Sequence, residues 1–442
     1  MNAIPAIRTK AEQDLGAVFA SAGPRLPGGR RIAAARAAAF QAFAAAGLPH
    51  RRLEAWKYTD LRRLMRDAKP LAAAPDAVAR AQAGQATGLF SGLGFRRLLV
   101  VDGVFVADQS DLSDLEPGLE IRAMRDLLAA DVADLAPGPG SVVPEGEPML
   151  ALNAALAGDG VQIRLAPGTR LARPIHLAFR VTAGVPAAMF TRSAFEIGAG
   201  GSATLLETFE GPDGSDYQVN AVLDLRVGDD ARLDHVRLIG EGDAALHVGT
   251  AVAEIGARAA VNAVSLTCGG GLVRSQAFVT LAGADTRAAM SGASLLGGRQ
   301  HADTTLVIAH AAPGSESRET FKAVVDGAAR SAFQGRITVR QAAQQTDARM
   351  MARALLLSEA AEAHSKPELE IFADDVQCGH GATVGALDEQ LKFYLMARGI
   401  PAPEAEALLI QAFVGEVIDA VADDGIREAL TKATAAWLRA RG

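Results

Sequence analysis

The sequence of 442 residues predicts a mainly β fold, a parallel β-solenoid flanked by a mixed helical N-terminal domain and a C-terminal helical domain. Three observations lead to this fold class. Glycine-marked strand units recur at near-constant spacing, aromatic residues make up only 5% so that the core must be aliphatic, and the end of the chain changes to a helical period. We therefore predict an N-terminal domain over residues 1–150, a solenoid over 151–386 and a helical domain over 387–442.

The first part of the N-terminal domain favours helix. Residues 10–47 are rich in alanine, the strongest helix former, and Ile32, Phe40 and Phe43 share one helical face. Gly47, followed closely by a proline, provides a stop signal.

Three further features of the N-terminal domain are short sequence motifs or segments. The motif Trp56-Lys57-Tyr58-Thr59 is an aromatic cluster directly after the helical region. Asp-Gly at positions 102–103 lies between two apolar runs, which predicts a two-residue β-hairpin because a type I′ turn needs positive φ. The Pro- and Gly-rich residues 136–148 are a plausible domain boundary.

The central region carries the repeat. Gly198, Gly228, Gly256 and Gly283 each follow an apolar strand-like run, at intervals of 30, 28 and 27 residues. Such spacing is typical of a solenoid, in which each coil buries its apolar face against the next and a glycine recurs at one corner. The repeat is degenerate, so a two-sheet sandwich remains an alternative.

The C-terminal region carries two helical stripes of apolar side chains, one from Leu387 to Leu395 and one from Ile410 to Val421. Two amphipathic helices that follow a solenoid can cap its open edge or dock a partner, and the two roles are compatible. The side chains that we expect to bind a partner are Leu391, Tyr394, Leu395, Ile410, Phe413, Val414 and Val417.

Composition excludes several classes of protein. The formal net charge of −7 argues against a general nucleic-acid-binding role, which needs a basic surface. There is no apolar run of membrane-spanning length. Two cysteines, Cys268 and Cys378, do not make a disulfide framework, so we expect a reducing, cytoplasmic compartment.

The residues that could carry chemistry are concentrated near position 380. Cys378 and His380 lie at i and i+2, which places both side chains on one face of a strand. Thiolate and imidazole suit iron–sulfur species, Zn²⁺ or Cu(I), but two donors do not fill a tetrahedral site, so further ligands must come from a distant segment or another chain. From the pair alone, a buried thiol beside a hydrogen-bonded histidine is favoured. A cysteine nucleophile oriented by Asp374 or Asp375 is a weaker alternative.

No motif of a hydrolytic enzyme is present. The sequence lacks a phosphate-binding Gly-Lys-Ser/Thr loop and a His-Glu-x-x-His zinc motif. Cys268, His301 and His310 have no obvious co-ligands, and we interpret them as structural positions. We therefore expect a protein that is not an enzyme.

Several of these motifs together resemble one known family. Residues 366–371 lead into Asp-Asp-Val-Gln-Cys-Gly-His-Gly-Ala-Thr-Val-Gly at 374–385, and this stretch, with the motif at Trp56-Lys57-Tyr58-Thr59, resembles the SufB/SufD family of SUF iron–sulfur cluster assembly scaffolds. The resemblance is strong over residues 341–420 and looser over the solenoid. The chain lacks the Cys-rich N-terminal segment usual in the SufB branch, so it is more similar to the SufD branch.

The resemblance implies a fold, partners and a site. Members have a right-handed parallel β-helix between helical end domains, pair with SufB through the β-helix, and bind the ATPase SufC through the C-terminal helices. A transient iron–sulfur cluster forms at the SufB–SufD interface, and ATP binds only to SufC. By this resemblance His380 is the interface histidine, Cys378 is the motif cysteine, and SufB supplies the remaining metal ligands.

Two alternatives stay open. The first is a SufB-like homodimeric scaffold that acts with SufC, and for this reason a homodimer of the isolated chain is also among the expected partners. A β-helix enzyme acting on polysaccharide is the alternative from another class. Such enzymes use acidic and basic clusters with substrate-binding aromatics, and this predicted solenoid is poor in aromatic residues.

Overall fold

The computed structural model describes residues 8–135, 141–182 and 184–441. Its centre is a β-solenoid whose strands alternate between two facing sheets. The strands are β1 Arg96–Val101, β2 Val104–Phe105, β3 Leu119–Ala123, β4 Val161–Leu165, β5 Ile175–Arg180, β6 Ala187–Ile197, β7 Ser202–Glu210, β8 Tyr217–Val227, β9 Arg232–Gly240, β10 Leu246–Ile255, β11 Ala260–Thr267, β12 Leu272–Leu281, β13 Arg287–Leu296, β14 His301–His310, β15 Glu316–Val325, β16 Arg330–Val339, β17 Thr346–Leu356, β18 Glu362–Ile371 and β19 Val376–Gly385.

The strand order identifies the solenoid. One sheet, here called the odd sheet, runs β2-β1-β5-β7-β9-β11-β13-β15-β17-β19, and the other, the even sheet, runs β3-β4-β6-β8-β10-β12-β14-β16-β18. The β1–β2 and β3–β4 pairs at one end are antiparallel, and the pairs that follow them are parallel. A Greek-key sandwich would have antiparallel neighbours, so the predicted solenoid is confirmed and the sandwich alternative is wrong.

The recurrent glycines mark one corner of the coil, as predicted. The Gly228 amide donates to the Ile197 carbonyl and the Gly256 amide to the Val227 carbonyl, each at 2.8 Å. A Cβ atom added at Gly283 would lie 2.0 Å from the Ala257 nitrogen of the preceding coil. The coils approach each other too closely at this corner for a side chain, which explains the spacing of the glycines.

The interior between the two sheets is aliphatic. One column of side chains runs in register from Leu165 through Ile197, Val227 and Ile255 to Leu281, each on the next strand of the even sheet. All five are at most 4% exposed. Branched aliphatic side chains stack well in such columns, so a large core forms with few aromatic residues.

The N-terminal helices cover the outer face of the even sheet. The helix predicted over residues 10–47 is confirmed as two helices, and Gly47 ends the second of them with φ of 75°. A shared core joins these helices to Phe190, Val248 and Leu272 of the even sheet. The helices before the solenoid core are α1 Lys10–Ala22, α2 Arg30–Ala46, α3 Leu61–Leu64, α4 Ala77–Gln85, α5 Met124–Ala129 and α6 Pro148–Leu156.

The predicted Asp-Gly hairpin is confirmed. Val101 pairs with Val104, and Asp102 and Gly103 have φ of 48° and 80°, as a type I′ turn requires. Strand β1 also pairs with β5, so the first 150 residues contribute strands to the solenoid's sheets. Of the predicted boundary at 136–148, residues 136–140 lie outside the described residues, and the domain limits stay a prediction.

The C-terminal region forms α7 Glu389–Ala397, α8 Ala402–Ile418 and α9 Asp424–Arg441. Helices α8 and α9 pack on the outer face of the odd sheet, where Ile410 and Ile426 join a core with Val264 and Leu295. They therefore cover a face of the solenoid, whereas β18 and β19 end the two sheets in the described part of the chain and form what is here called the open end.

Candidate functional site

The open end of the solenoid consists of two free strand edges. In the part of the chain that the structure describes, β19 pairs only with β17, and β18 pairs only with β16. Three apolar side chains are exposed there: Ile371 at 42%, Phe372 at 64% and Val384 at 47%. Free edges and exposed apolar side chains together are typical of a surface that pairs with another chain.

Cys378 and His380 lie on the last strand of this end. Cys378 is in register with Ala348 and His380 with Met350, and both of these neighbours are core residues. Cys378 is half-buried and packs against the main core, whereas His380 is exposed. The two donors therefore lie on the interior-facing side of β19 at the mouth of the solenoid.

The surroundings of Cys378 keep its thiol protonated. Burial raises the pKa of Cys378, and the carboxylates of Asp347 and Glu319 raise it further, against a hydrogen bond with the Ala348 backbone. A metal ion would have to displace this proton to bind the sulfur. Among the described residues, the groups that act on the Cys378 thiol are the Ala348 backbone, Asp347 and Glu319, and His380 is not one of them, so the nucleophile alternative lacks the contact that it needs.

The donor set of this end is incomplete within one chain. Across residues 8–135, 141–182 and 184–441, no group of three or more His, Cys, Asp or Glu side chains is arranged to hold a metal ion. Asp374 and Asp375 are exposed in the turn before β19, where the Asp375 carbonyl accepts from the Gln345 amide at 2.6 Å. A metal site at Cys378 and His380 would therefore need ligands from another chain.

The remaining cysteine and histidines predicted to be structural have structural contacts. Cys268 packs beneath the C-terminal helices, where burial raises its pKa to about 12. His310 is fully buried and its Nε2 lies 2.9 Å from the Ser317 hydroxyl. His301 contacts the Thr59 hydroxyl at the same distance.

Helix α7 forms a second exposed surface. None of its residues is buried, and its apolar side chains face solvent on more than one side of the helix. The exposed fractions are 52% for Leu391, 72% for Phe393, 53% for Tyr394 and 44% for Met396. An exposed apolar group of this size on one short helix indicates a contact with another protein.

The structure corrects part of the predicted partner surface. Ile410, Val414 and Val417 are 0%, 0% and 1% exposed, because the apolar stripe of α8 packs on the outer face of the odd sheet. Those three side chains are not accessible to a partner while α8 is docked. Of the other predicted positions, Leu391 and Tyr394 are exposed, and Leu395 and Phe413 are half-buried.

Comparison with known families assigns the chain. The family described as SUF system FeS cluster assembly, SufBD core domain, matches residues 179–413, and the SufBD protein N-terminal region matches residues 28–177. The chain belongs to the SufBD family. The part of this SufBD protein that matches the core model runs from the end of β5 into α8, and so includes β18, β19 and α7.

Curated relatives agree with this assignment. The chain is 30% identical over 386 residues to the iron–sulfur cluster assembly protein SufD of Escherichia coli K12, covering 86% of this chain and 87% of the relative. It is 30% identical over 388 residues to a SufBD family iron–sulfur cluster assembly protein of Synechocystis sp., covering 85% and 84%. The SufD protein of Bacillus subtilis is 36% identical over 133 residues, 30% of each chain.

The SufBD protein has several site features that sequence patterns did not single out. Ile371, Phe372 and Val384 at the open end and Met396 on α7 were not predicted as contact residues. For α7 a signal exists, because Leu-Lys-Phe-Tyr-Leu-Met is apolar around the helix and not only on one stripe.

No helix in the described ranges is long and apolar enough to span a membrane.

Proposed function

We propose that this SufBD protein is a non-catalytic scaffold subunit of a SUF complex that pairs with SufB and binds the ATPase SufC. The observation that carries the proposal is the incomplete donor pair, Cys378 and His380, on the free edge strand of an uncapped solenoid. A transient iron–sulfur cluster is the cargo of this site, and ATP binds only to SufC. Both cysteines are free thiols, which suits a reducing cytoplasmic location.

Pairing with SufB at the open end is supported by the strand edges. Strands β18 and β19 are each 10 residues long, and no other described strand pairs with their outer edges. A partner with similar terminal strands would extend both sheets at once, because backbone hydrogen bonds provide affinity in strand addition. The exposed side chains of Ile371, Phe372 and Val384 would then be buried.

Holding a cluster at this interface is supported by the chemistry of the two donors. A cysteine thiolate and a neutral imidazole are suitable ligands for iron in cluster assembly. Because this chain offers only two such groups here, a cluster bound at the site would be shared with SufB and would be released when the two chains separate. A site of this kind suits temporary assembly better than permanent storage.

Binding of SufC through α7 is supported by the exposed apolar side chains of this helix. The helix is held to α8 by an ion pair between Lys392 and Glu406 at 3.1 Å, and the Arg398 guanidinium lies 4.5 Å from the Tyr394 ring centroid. These contacts leave Leu391 and Phe393 facing solvent. Helix α7 can therefore present a fixed apolar surface to the ATPase.

The proposal is tested by co-purifying the untagged chain with tagged SufB and SufC from the same source under anaerobic conditions. We expect a stable complex with two copies of SufC for each SufB and each copy of this chain. Recovery of this chain as a pair of copies with SufC, in the presence of SufB, would instead favour the homodimeric scaffold. Failure of the chain to associate with either protein would contradict both functions.

The site is tested by His380→Ala in the same complex. The exposed imidazole makes no contact that the fold needs, so the three proteins should still associate. Cluster formation, measured by visible absorption and by transfer to an apo-ferredoxin, should fall to background. Gln377→Ala is a matched control, since Gln377 is another exposed polar residue of β19 but lies on the opposite face of the strand from Cys378 and His380. Normal cluster formation in His380→Ala would contradict the site assignment.

A further inference from the structure

The motif around Trp56 crosses the outer face of the even sheet, and residues 54–59 are here called the N-terminal brace. The brace contacts four successive strands of that sheet, β12, β14, β16 and β18. Its partners are one or two polar residues on each strand: Arg274 on β12, His301 and Asp303 on β14, Gln334 on β16, and His364 and Lys366 on β18.

The inner half of the brace is anchored by buried polar contacts. Arg274 and Asp303 form an ion pair at 2.6 Å, and both side chains are 0% exposed. The Arg274 guanidinium lies 4.5 Å from the centroid of the Trp56 ring, and its Nη2 donates to the Ala55 carbonyl at 2.6 Å. The Thr59 hydroxyl donates to Asp303 at 2.5 Å. Buried charges need such partners, so the anchor ties the brace firmly to the sheet.

The outer half of the brace reaches the last strand. The Tyr58 ring stacks on the His364 imidazole, with centroids 4.9 Å apart and an angle of 14° between the planes. Glu54 forms an ion pair with Lys366, two residues further along β18. Both partners are on the outer face of β18, so these contacts leave the backbone edge of that strand free.

The terminal coil of a solenoid is its weakest part, because it contacts a neighbouring coil on one side only. A cap over the end would stabilise this coil but would also cover the edge that pairs with a partner. On the odd sheet the C-terminal helices contact the two strands that precede β19: Lys322 of β15 donates to the Phe413 carbonyl at 2.7 Å, and the Arg353 guanidinium of β17 lies 3.5 Å from the Glu416 carboxylate. The brace provides the corresponding side contact on the even sheet.

We propose that the N-terminal brace is a positioning element that holds β18 in place from the outside, so that its free edge is ordered for docking. This inference rests on the proposed function for what docks there, but the ordering of β18 is a property of the isolated chain. Tyr58 and Glu54 act on the site only through β18. The anchor around Arg274 fixes the brace so that these two side chains can act.

The test is hydrogen exchange of the isolated full chain, with Glu54→Gln and Tyr58→Ala combined. The lost stack and ion pair should speed exchange of the β18 amides about tenfold, while β6 and β8 exchange as in wild type. Tyr58→Phe combined with Glu54→Gln keeps the ring stack and lacks only the ion pair, so it should restore most of the protection. Arg164→Gln, which breaks an exposed pair with Glu196 on the same sheet, should leave β18 unchanged. Unchanged β18 exchange in the double variant would overturn the proposal.

A second measurement asks whether this order matters for docking. Affinity of the double variant for tagged SufB should fall about tenfold, with Tyr58→Phe near wild type. Faster exchange in β18 with unchanged affinity would overturn the positioning role and leave the brace as a stabilising contact alone. If the wild-type chain does not bind SufB, the proposed function fails, and the exchange result still decides whether the brace orders β18.

Discussion

The two ends of the solenoid differ in their outermost strands, which are short at the N-terminal end and long at the C-terminal end. At the N-terminal end the outermost strands, β2 and β3, are 2 and 5 residues long and pair antiparallel to their neighbours. At the C-terminal end β18 and β19 are 10 residues each and their outer edges are unpaired in the described part of the chain. Short edge strands are one way in which proteins prevent unwanted pairing.

The N-terminal end is also wrapped by a loop that Arg96 holds in place. Arg96 is 1% exposed and donates to the carbonyl oxygens of Asp111, Ser113 and Asp114 at 2.9, 3.0 and 3.0 Å. Its Nη2 also donates to the Glu116 carboxylate at 2.9 Å. The same chain can therefore protect an edge where no pairing is needed. The long free edges at the other end support the proposed pairing with a partner.

Replacing Arg96 should release the loop from the N-terminal end and expose the strand edge there, which would make the two ends alike. Arg96→Ala leaves buried carbonyls and Glu116 without their donor, so we expect a loss of about 4 kcal/mol in the free energy of unfolding. Urea unfolding measures the loss, and sedimentation should show new self-association of the exposed edge. The control Arg164→Ala removes a half-exposed arginine and should change stability by less than about 1 kcal/mol. Wild-type stability in Arg96→Ala would mean that the loop needs no anchor.

Two buried glutamates, one in the earlier coils and one near the open end, differ in their surroundings and in their pKa. Glu207, in the earlier coils, accepts from His235 and Arg237, each at 2.7 Å. Burial raises its pKa, but the Arg237 charge and the His235 contact more than offset this and lower the pKa to about 2. Glu319 lies on β15, in register through Met350 with His380, and is 1% exposed, with no arginine or histidine ion pair like that of Glu207 among the described residues. Burial raises the pKa of Glu319 to about 8.

Glu319→Gln should therefore stabilise the protein in a pH-dependent way. Because the folded pKa is above the unfolded value, the folded chain binds more protons than the unfolded chain as pH rises from 5 to 8, and wild-type stability falls. The variant lacks this loss, so its advantage over wild type should grow by on the order of 3 kcal/mol across that range. Urea unfolding at both pH values measures it.

Glu207→Gln is the matched control for this pair. The Glu207 carboxylate is ionised and paired between pH 5 and 8, above both its folded pKa of about 2 and the ordinary value. Replacement by an uncharged amide should destabilise the protein by a similar amount at both pH values. A Glu319→Gln advantage that does not change with pH would contradict the assigned protonation of Glu319.

Positive charges at the open end should prevent its strands from pairing with another chain. Ile371→Lys combined with Val384→Lys places cations at the free edges, the device by which natural edge strands avoid pairing. Affinity for SufB should fall about 100-fold, and the stability of the isolated chain should not change, because both side chains are already exposed. Val132→Lys with Val185→Lys, at side chains 65% and 70% exposed, should bind SufB as wild type does. Equal losses in both double variants would indicate a general charge effect.

The sequence predicted features that local pattern determines. The corner glycines such as Gly228, the hairpin at Asp102 and the shared strand of Cys378 and His380 follow from backbone geometry and period. Helix α8 was predicted correctly as amphipathic, but its stripe is the same whether Ile410 meets a partner or the chain's own sheet, so the pattern could not choose between them.

The contacts between the Trp56 motif and the even sheet could not be predicted from the sequence for a different reason. The Trp56 motif was visible as an aromatic cluster, but its partners Arg274 and Asp303 are more than 200 residues away in sequence. Each partner lies at an outward position of a strand, where a charged residue is ordinarily solvated. Only the fold shows that the brace covers them and that β18 and β19 end the sheets.

Helices α7 and α8 differ in the same way as the two ends of the solenoid. The apolar side chains of α7 are exposed, whereas the apolar stripe of α8 is buried against the odd sheet. One substitution tests this difference. Phe393 is 72% exposed, so Phe393→Ala should leave folding unchanged and weaken binding of SufC about tenfold, with SufB pairing unaffected. Val78→Ala, at a side chain 63% exposed on α4, is the control and should change neither interaction. Titration of each variant with SufC and with SufB separates the two surfaces. Loss of SufB binding with normal SufC binding would assign α7 to the strand interface, and the open end would then extend across both surfaces.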